Sequence, residues 1–487
     1  MAPADTRDRQ ASGLGGKAAN EAEPQPGLKP EASKFVAEFA RLAANLDAAG
    51  LGPADYLYAP LKWRLEHPEA SEHSLRASAG KAWQLLAEPP SAPPRPGQAA
   101  ILMASSYSVS ADFLRKVMDN FDPAEAVLCD ASGAGSPKAS DRANVLVAFL
   151  SASIFALRVD RALKRAGAGA VERRRIAEAA LTHGVYRRLA RAILKHARPE
   201  CLVIANGNRP FEFALFAEAK ARGLPTVLLP FAELNPKPAR FLSLCRGGFD
   251  LALPFSEHSA EEIRKLRKDA AIEVVGFPSG GATAGRDDRP RESGQGNGDD
   301  VLYICGNNFE VEASEMLREA FDDASSLNLR VRLHPRNDQA EIRALFDFVP
   351  ADRISDPDET PLADDLVAAD IVVMVRSTVA LDAMFAGKPL IWLSPPKHHA
   401  EFVDHPIRKQ ELALYDAETS GELRAIVKKL AGDAKERERA AEGQWARLRA
   451  AGYRPGYYEA VKAALRRLVD WGPPPKRGEP QAAPAKA

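Results

Sequence analysis

The sequence predicts an α/β protein built from two doubly wound domains, and three observations support this fold class. Short apolar, β-branched runs alternate with helical stretches over residues 99–278 and again over 300–393. A Gly-rich polar segment separates the two series. The chain has 487 residues, which is more than one compact core usually organises.

Composition narrows the classes of protein that remain. Hydrophobic residues make up 45% and charged residues 27%, as in an ordinary globular protein. Lys+Arg and Asp+Glu both number 66, so the zero net charge argues against a nucleic-acid partner for the whole chain. The four cysteines are isolated, which is typical of buried thiols in a reducing compartment. Without an apolar run of membrane length or a signal pattern, we expect a cytoplasmic protein.

The first half is predicted to form an N-terminal domain over 33–277, after a disordered tail over 1–32. It begins with helical stretches, and strands follow over 99–105, 126–130, 201–205, 226–230, 250–255 and 272–278. Two long helices, about 139–165 and 171–197, are inserted between the second and third strands. The second of these carries a basic face, which is either solvated or in contact with a membrane.

The second half is predicted to form a domain over 300–420, joined to the first by a linker over 278–299. Its strands are expected over 301–305, 329–335, 353–355, 371–375 and 390–393. Helices over 421–470 and a disordered tail over 471–487 complete the chain. The final helix either braces the first domain or rests on an anionic membrane.

Residues 371–393 organise the second series, since they read as strand, tight turn, short helix and strand. Arg376, Ser377 and Thr378 follow the first strand, where free backbone N–H groups and hydroxyls predict an anion site. Asp382 lies about one turn further on and is a candidate to accept a hydrogen bond from a sugar hydroxyl. The alternative is that the two hydroxyl residues only cap the helix and that Asp382 is solvated.

Other polar turns also follow predicted strands, where an α/β cleft binds its ligands. In the second domain, His334 is held by the proline after it and is expected to reach a phosphate. No dinucleotide-binding or P-loop glycine motif occurs, and no metal site is expected. The candidate residues at these turns are Gly306 and Asn307, His334 with Pro335 and Arg336, and, in the first domain, Asn206, Gly207, Asn208 and Arg209.

The His-Pro motif and the later stretch VVMVRSTVALDAMFAGKPLI resemble the nucleotide-binding half of GT-B glycosyltransferases. The similarity is to bacterial surface-polysaccharide enzymes: Kdo transferases, polysialyltransferases and CDP-glycerol glycerophosphotransferases. This resemblance implies two Rossmann-like domains facing a cleft. It also implies that His334, Ser377 and Thr378 hold the donor phosphate and that Asp382 approaches the ribose or sugar.

The resemblance implies an inverting, metal-independent glycosyltransferase that needs no cofactor and uses a CMP- or CDP-linked sugar. Its partners would be this donor and a glycan or lipid-linked acceptor, with peripheral membrane contact left open. The acidic motif that supplies the base in polysialyltransferases has no clear copy, so Glu212 and Glu233 are the candidate bases. Two alternatives remain: a UDP-sugar 2-epimerase of the same fold, and a non-catalytic scaffold of envelope glycan assembly.

Overall fold

A computed structural model describes most of the chain from residue 100 onward. The described residues are 100–105, 108–130, 142–165, 170–205, 210–233, 248–268, 270–278, 298–306, 309–322, 327–335, 339–375, 377–395 and 406–471. The helices predicted within 33–95, the tails over 1–32 and from 472 onward, and most of the linker lie outside them. No helix of these ranges is long and apolar enough to cross a membrane.

The first domain contains a six-stranded parallel sheet with the order β2-β1-β3-β4-β5-β6. Its strands are β1 Ile101–Ser105, β2 Ala126–Asp130, β3 Cys201–Ile204, β4 Thr226–Leu228, β5 Leu251–Ala252 and β6 Ala271–Ile272. The helices are α1 Ser108–Met118, α2 Arg142–Arg165, α3 Ala170–Ala197, α4 Pro210–Ala221 and α5 Glu257–Leu266. The central strands are buried on both faces, which explains their continuous apolar runs.

The second domain has its own six-stranded parallel sheet, with the order β12-β11-β10-β7-β8-β9. Its strands are β7 Asp300–Ile304, β8 Asn328–Arg332, β9 Ile354–Ser355, β10 Ile371–Met374, β11 Leu390–Leu393 and β12 Tyr415–Ala417. The helices up to β12 are α6 Glu310–Phe321, α7 Gln339–Leu345, α8 Leu362–Ala368, α9 Val379–Phe385 and α10 Pro406–Lys409. The predicted fold class is therefore confirmed: the described residues form two Rossmann-like, doubly wound domains, each with a six-stranded parallel sheet.

Three expectations about strands need correction. The strand predicted over 250–255 is only Leu251–Ala252, and the one predicted over 272–278 is only Ala271–Ile272. Beyond Ile272 the pairing continues in one direction only: the Glu273 N–H donates to the Ala252 carbonyl and the Val275 N–H to the Pro254 carbonyl, both at 3.0 Å, while Pro254 has no N–H to donate in return. The chain then meets the C-terminal segment, where the Phe277 N–H donates to the Arg454 carbonyl at 3.2 Å. β12 was not predicted, since three residues at a sheet edge carry no readable alternation.

The C-terminal helices run from the second domain back to the first. They are α11 Ser420–Gly432, α12 Ala434–Ala450 and α13 Tyr457–Trp471. Lys462 donates to the Asn120 carbonyl at 2.6 Å, and Arg466 pairs with Glu125 at 2.6 Å, so α13 lies on the first domain. The prediction that the final helix braces the first domain is confirmed.

An aromatic cluster joins the two domains where the chain crosses back. The rings of Phe277 and Phe385 stack with centroids 5.7 Å apart, and Trp445 meets Phe385 edge-on at 5.1 Å. Tyr457 packs against Phe255 at 5.6 Å on the first-domain side. One continuous apolar core therefore runs from the first sheet through the crossover into the second sheet.

Gly276 lies in this crossover contact, and its replacement by alanine should destabilise the protein. Its φ is +89°, and an added Cβ would overlap the backbone carbonyl of Arg454. We expect the free energy of unfolding to fall by about 2 kcal/mol or more, measured by urea denaturation. The matched control is Gly223→Ala, where φ is +69° and nothing lies within 4 Å of the added Cβ. Equal losses in the two variants would contradict the crowding argument.

The described cysteines behave as buried apolar residues, as predicted. Cys129, Cys201 and Cys305 are free and buried in the sheets. Burial raises the pKa of the Cys129 thiol to about 12, with smaller contributions from Asp130 and Glu212. These thiols are therefore protonated and unreactive at neutral pH.

Candidate functional site

The strand order of the second sheet reverses between β7 and β10. The chain runs from β7 outward to β8 and β9, then returns to the other side of β7 for β10, β11 and β12. Such a reversal leaves a crevice at the carboxyl ends of the two strands, and open α/β sheets bind ligands there. The predicted site residues of the second domain belong to the loops at this edge.

The strand register sets these residues side by side. Ile304 of β7 pairs with Met374 of β10 on one side and with Arg332 of β8 on the other. Gly306 comes two residues after Ile304, and His334 comes two residues after Arg332. Ser377 comes three residues after Met374. Since neighbouring strands are about 4.8 Å apart, the backbones at His334 and Ser377 lie about 10 Å apart, on either side of Gly306.

His334 is half-buried at the end of β8, next to the exposed Pro335. The strand beneath it is held by Arg332, which donates to the Asp365 carboxylate at 2.5 Å and to the Thr360 carbonyl at 2.8 Å. The Arg332 guanidinium is therefore buried against α8 and faces a carboxylate, so it adds no charge to the crevice.

Ser377 and Thr378 lie at the start of α9, where the sequence predicts them. The Val379 N–H donates to the Ser377 hydroxyl oxygen at 3.2 Å, so Ser377 caps the helix as the simpler reading proposed. Its hydroxyl hydrogen remains able to donate to a ligand. Thr378 is half-buried and makes no capping hydrogen bond. Both side chains border the β7–β10 crevice.

Asp382 is half-buried and lies toward the final helix. The pKa of Tyr458 on α13 is raised, mainly by burial and further by the negative charge of Asp382. An approach of Asp382 to a ribose or sugar stays a prediction. Four other predicted groups lie outside the described residues: Asn307, Arg336, Arg376 and the first-domain turn Asn206, Gly207, Asn208 and Arg209.

Glu310 is a buried carboxyl at the crevice that sequence reasoning missed. It begins α6, and it accepts hydrogen bonds from the Gly306 N–H at 2.7 Å and the Tyr303 hydroxyl at 2.9 Å. Burial raises its pKa to about 7, although hydrogen bonds from Tyr303, Cys305 and Gly306 act in the opposite direction. The sequence did carry a signal for these contacts: Glu310 comes four residues after Gly306, at the end of the strand, and seven residues after Tyr303.

This arrangement changes the role expected of Gly306. Its N–H donates to Glu310, so it does not point to a ligand while that hydrogen bond holds. Phe309, directly before Glu310, has a φ of +75°, which is strained for a residue with a bulky side chain. Glu310 therefore binds the backbone at the end of β7, next to the crevice.

The candidate bases of the first domain are both buried. Glu233 follows β4 and accepts hydrogen bonds from Ser256 at 2.5 Å and Ser259 at 2.8 Å. Burial raises its pKa, while these serine hydroxyls and Tyr453 lower it. Glu233 is therefore part of a buried hydrogen-bond network and is not a solvated loop residue.

Glu212 lies in the first turn of α4 with no exposed surface. Its charge contributes to the raised pKa of the Cys129 thiol on β2, after burial and Asp130. A role of Glu212 as the catalytic base stays a prediction. No group of three or more His, Cys, Asp or Glu side chains within the described ranges is arranged to hold a metal ion.

Comparisons with known proteins give structural likeness only. No family model and no curated protein matches the chain. Similar solved structures include a UDP-GlcNAc 2-epimerase from Neisseria meningitidis bound to UDP-GlcNAc, with 12% identity, a TM-score of 0.44, and coverage of 76% of this chain and 99% of that chain.

Two other solved structures are also similar. The calicheamicin glycosyltransferase CalG4 has 16% identity, a TM-score of 0.39, and coverage of 77% of this chain and 99% of that chain. MurG from Acinetobacter baumannii has 13% identity, a TM-score of 0.43, and coverage of 76% of this chain and 99% of that chain. At these identities the likeness does not extend to the reaction, and the resemblance to surface-polysaccharide enzymes stays a prediction.

Proposed function

We propose that this protein is an enzyme acting on a nucleotide-activated sugar, with the nucleotide bound at the second domain. The observation that carries the proposal is the reversal of strand order between β7 and β10, with His334 and Ser377 on either side of it. A half-buried imidazole and a hydroxyl at such a crevice suit the phosphate oxygens of a nucleotide. The predicted resemblance to GT-B glycosyltransferases agrees with this assignment.

Glycosyl transfer from a CMP- or CDP-linked donor is the leading reaction. An acceptor hydroxyl would displace the nucleotide phosphate and invert the anomeric centre. His334, Ser377 and Thr378 would stabilise the negative charge that develops on the departing phosphate. A base would take the acceptor proton. Glu212 and Glu233 are the candidate carboxylates for this role, although both are buried.

A 2-epimerase reaction on a UDP-linked sugar is the second candidate. Transfer requires a base that an acceptor can reach, whereas Glu212 and Glu233 are both buried. Epimerisation needs no acceptor, but it needs a base that removes the proton from C2 of the bound sugar and an acid that returns a proton to the opposite face. The burial of Glu212 and Glu233 therefore counts against them as the base of transfer without excluding epimerisation. Incubation with UDP-N-acetylhexosamine and no acceptor separates the two: an epimer supports epimerisation, and an unchanged substrate contradicts it.

His334→Ala is the variant that tests the nucleotide site. We expect wild type to bind one of CMP, CDP, UDP and GDP in titration calorimetry, and the variant to bind it about tenfold more weakly, since a charge-assisted hydrogen bond is lost. A preference for cytidine nucleotides supports the CMP- or CDP-linked donor, and a preference for UDP supports the epimerase.

The matched control is His196→Ala, on the exposed side of α3 in the first domain. It should bind the nucleotide as wild type does. Equal affinity of His334→Ala and wild type would contradict the site. Absence of binding by wild type to all four nucleotides would contradict the proposal and leave a non-catalytic scaffold as the better assignment.

A further inference from the structure

Helix α2 exposes a stripe of apolar and basic side chains. Ile154 is 55% exposed and Leu157 is 57% exposed, although both are large and apolar. Helical geometry places the exposed residues of its last three turns within about one third of the helix circumference. These six exposed residues, which we call the α2 stripe, are Ile154, Leu157, Arg158, Arg161, Lys164 and Arg165.

The positive charge of the α2 stripe is uncompensated. Within the described chain, none of its four basic side chains forms an ion pair or hydrogen bond with a carboxylate. Asp160 lies on the flank of the stripe and is half-buried. The α2 stripe therefore combines two exposed apolar side chains with a local excess of positive charge, in a chain whose net charge is zero.

On the neighbouring helix α3, by contrast, two basic side chains form ion pairs with a carboxylate. Arg187 pairs with Glu218 of α4 at 2.6 Å, and Arg191 pairs with the same carboxylate at 2.9 Å. The sequence offered this basic face of α3 as the membrane candidate. These two pairs tie Arg187 and Arg191 of that face to α4, whereas no carboxylate of the described residues pairs with the basic side chains of the α2 stripe.

We propose that the α2 stripe docks the protein on an anionic lipid surface. Ile154 and Leu157 enter the boundary between headgroups and acyl chains, and the four basic side chains contact lipid phosphates. This pairing of apolar and basic side chains is what an interfacial helix needs. The α2–α3 pair is inserted between β2 and β3, so docking brings the first domain to the lipid surface. The docking does not rest on the proposed function.

Vesicle sedimentation with the full chain tests the proposal. The probes are vesicles of phosphatidylcholine alone and vesicles that also contain phosphatidylglycerol. We expect wild type to bind the anionic vesicles roughly tenfold more tightly than the neutral ones, and this preference to fade at high ionic strength. Ile154→Glu/Leu157→Glu and, separately, Arg161→Glu/Arg165→Glu should each lower binding to anionic vesicles roughly tenfold or more.

The matched control is Val367→Glu. Val367 is an apolar residue on α8 of the second domain, and at 55% it is as exposed as Ile154 and Leu157. It should bind vesicles as wild type does. Since all the altered residues are exposed, thermal unfolding should be unchanged in every variant, and nucleotide titration reports separately on the proposed function. Equal binding of the stripe variants and wild type would overturn the proposal.

Two other partners of the α2 stripe would be revealed by measurements on the same variants. Binding of single-stranded RNA that the stripe variants lose, with no binding to anionic vesicles, would assign the stripe to nucleic acid and overturn the proposal. A dimer in analytical ultracentrifugation that Ile154→Glu/Leu157→Glu dissociates, again without vesicle binding, would assign it to a second copy of the chain and overturn the proposal as well.

Discussion

Asp365→Asn is expected to destabilise the protein by about 3 kcal/mol, because it removes the charge that compensates a buried arginine. Arg332 is only 10% exposed and Asp365 only 1% exposed, and their side chains are 2.5 Å apart. Ser355 donates to the same carboxylate oxygen at 2.7 Å, so one carboxylate ties β8, β9 and α8 together. An amide keeps one acceptor oxygen but leaves the guanidinium charge buried without a counter-charge.

The same change should weaken nucleotide binding under the proposed function. His334 is two residues beyond Arg332 on β8, and loss of the ion pair lets the end of that strand move. We expect urea denaturation to report the loss of stability, and titration calorimetry to report a severalfold loss of nucleotide affinity.

Asp364→Asn is the matched control for this prediction. Asp364 precedes Asp365 on α8, carries the same charge and is exposed. Its replacement should change the free energy of unfolding by less than about 0.5 kcal/mol. If the two variants lose equal stability, the buried pair contributes nothing specific and the prediction is wrong.

Glu310→Gln is expected to reduce the loss of unfolding free energy that wild type shows as pH rises. The pKa of Glu310 is raised from 4.5 to about 7, chiefly by burial. Between these two values the unfolded chain has lost the proton while the folded protein still holds it, so the stability of wild type falls as pH rises. The loss is complete above pH 7 and reaches at most about 3 kcal/mol. Because glutamine cannot ionise, the Glu310→Gln variant does not lose unfolding free energy in this way.

The measurement is the difference in unfolding free energy between Glu310→Gln and wild type at pH 4.5, 6 and 8. This difference should shift in favour of the variant by up to about 3 kcal/mol between the lowest and highest pH. Glu315→Gln, on the exposed side of the same helix, should show no such shift. A difference that stays constant with pH would show that folding does not raise the pKa of Glu310, and would contradict the prediction.

Most of the second domain could be predicted from the sequence because its signals are local. The continuous runs at Ile371–Met374 and Leu390–Leu393 identified buried strands, and Gly387 with Pro389 identified the end of the helix between them. His334, Ser377 and Thr378 were expected at strand ends, and the structure places them there. The strand order that brings them together arises from pairing between distant segments, which no local pattern reveals.

The buried charges were beyond sequence reasoning for a physical reason. Glu310, Arg332 and Asp365 look like ordinary charged residues, and such residues are usually exposed. Their burial and their partners depend on how α6 and α8 pack against the sheet. Glu212 is buried in the same way, although charged residues are usually exposed.

The sequence by itself determined the division into two doubly wound halves and the strand ends that could hold a phosphate, because both depend on local periodicity and turn chemistry. Only the tertiary structure decided which strand ends lie side by side and which carboxyls are buried. It also decided which basic helix has side chains that form no ion pair with a carboxylate of the described residues. Those properties depend on desolvation and on contacts between residues far apart in the chain. They exist only once the two sheets and the returning C-terminal helix have packed together.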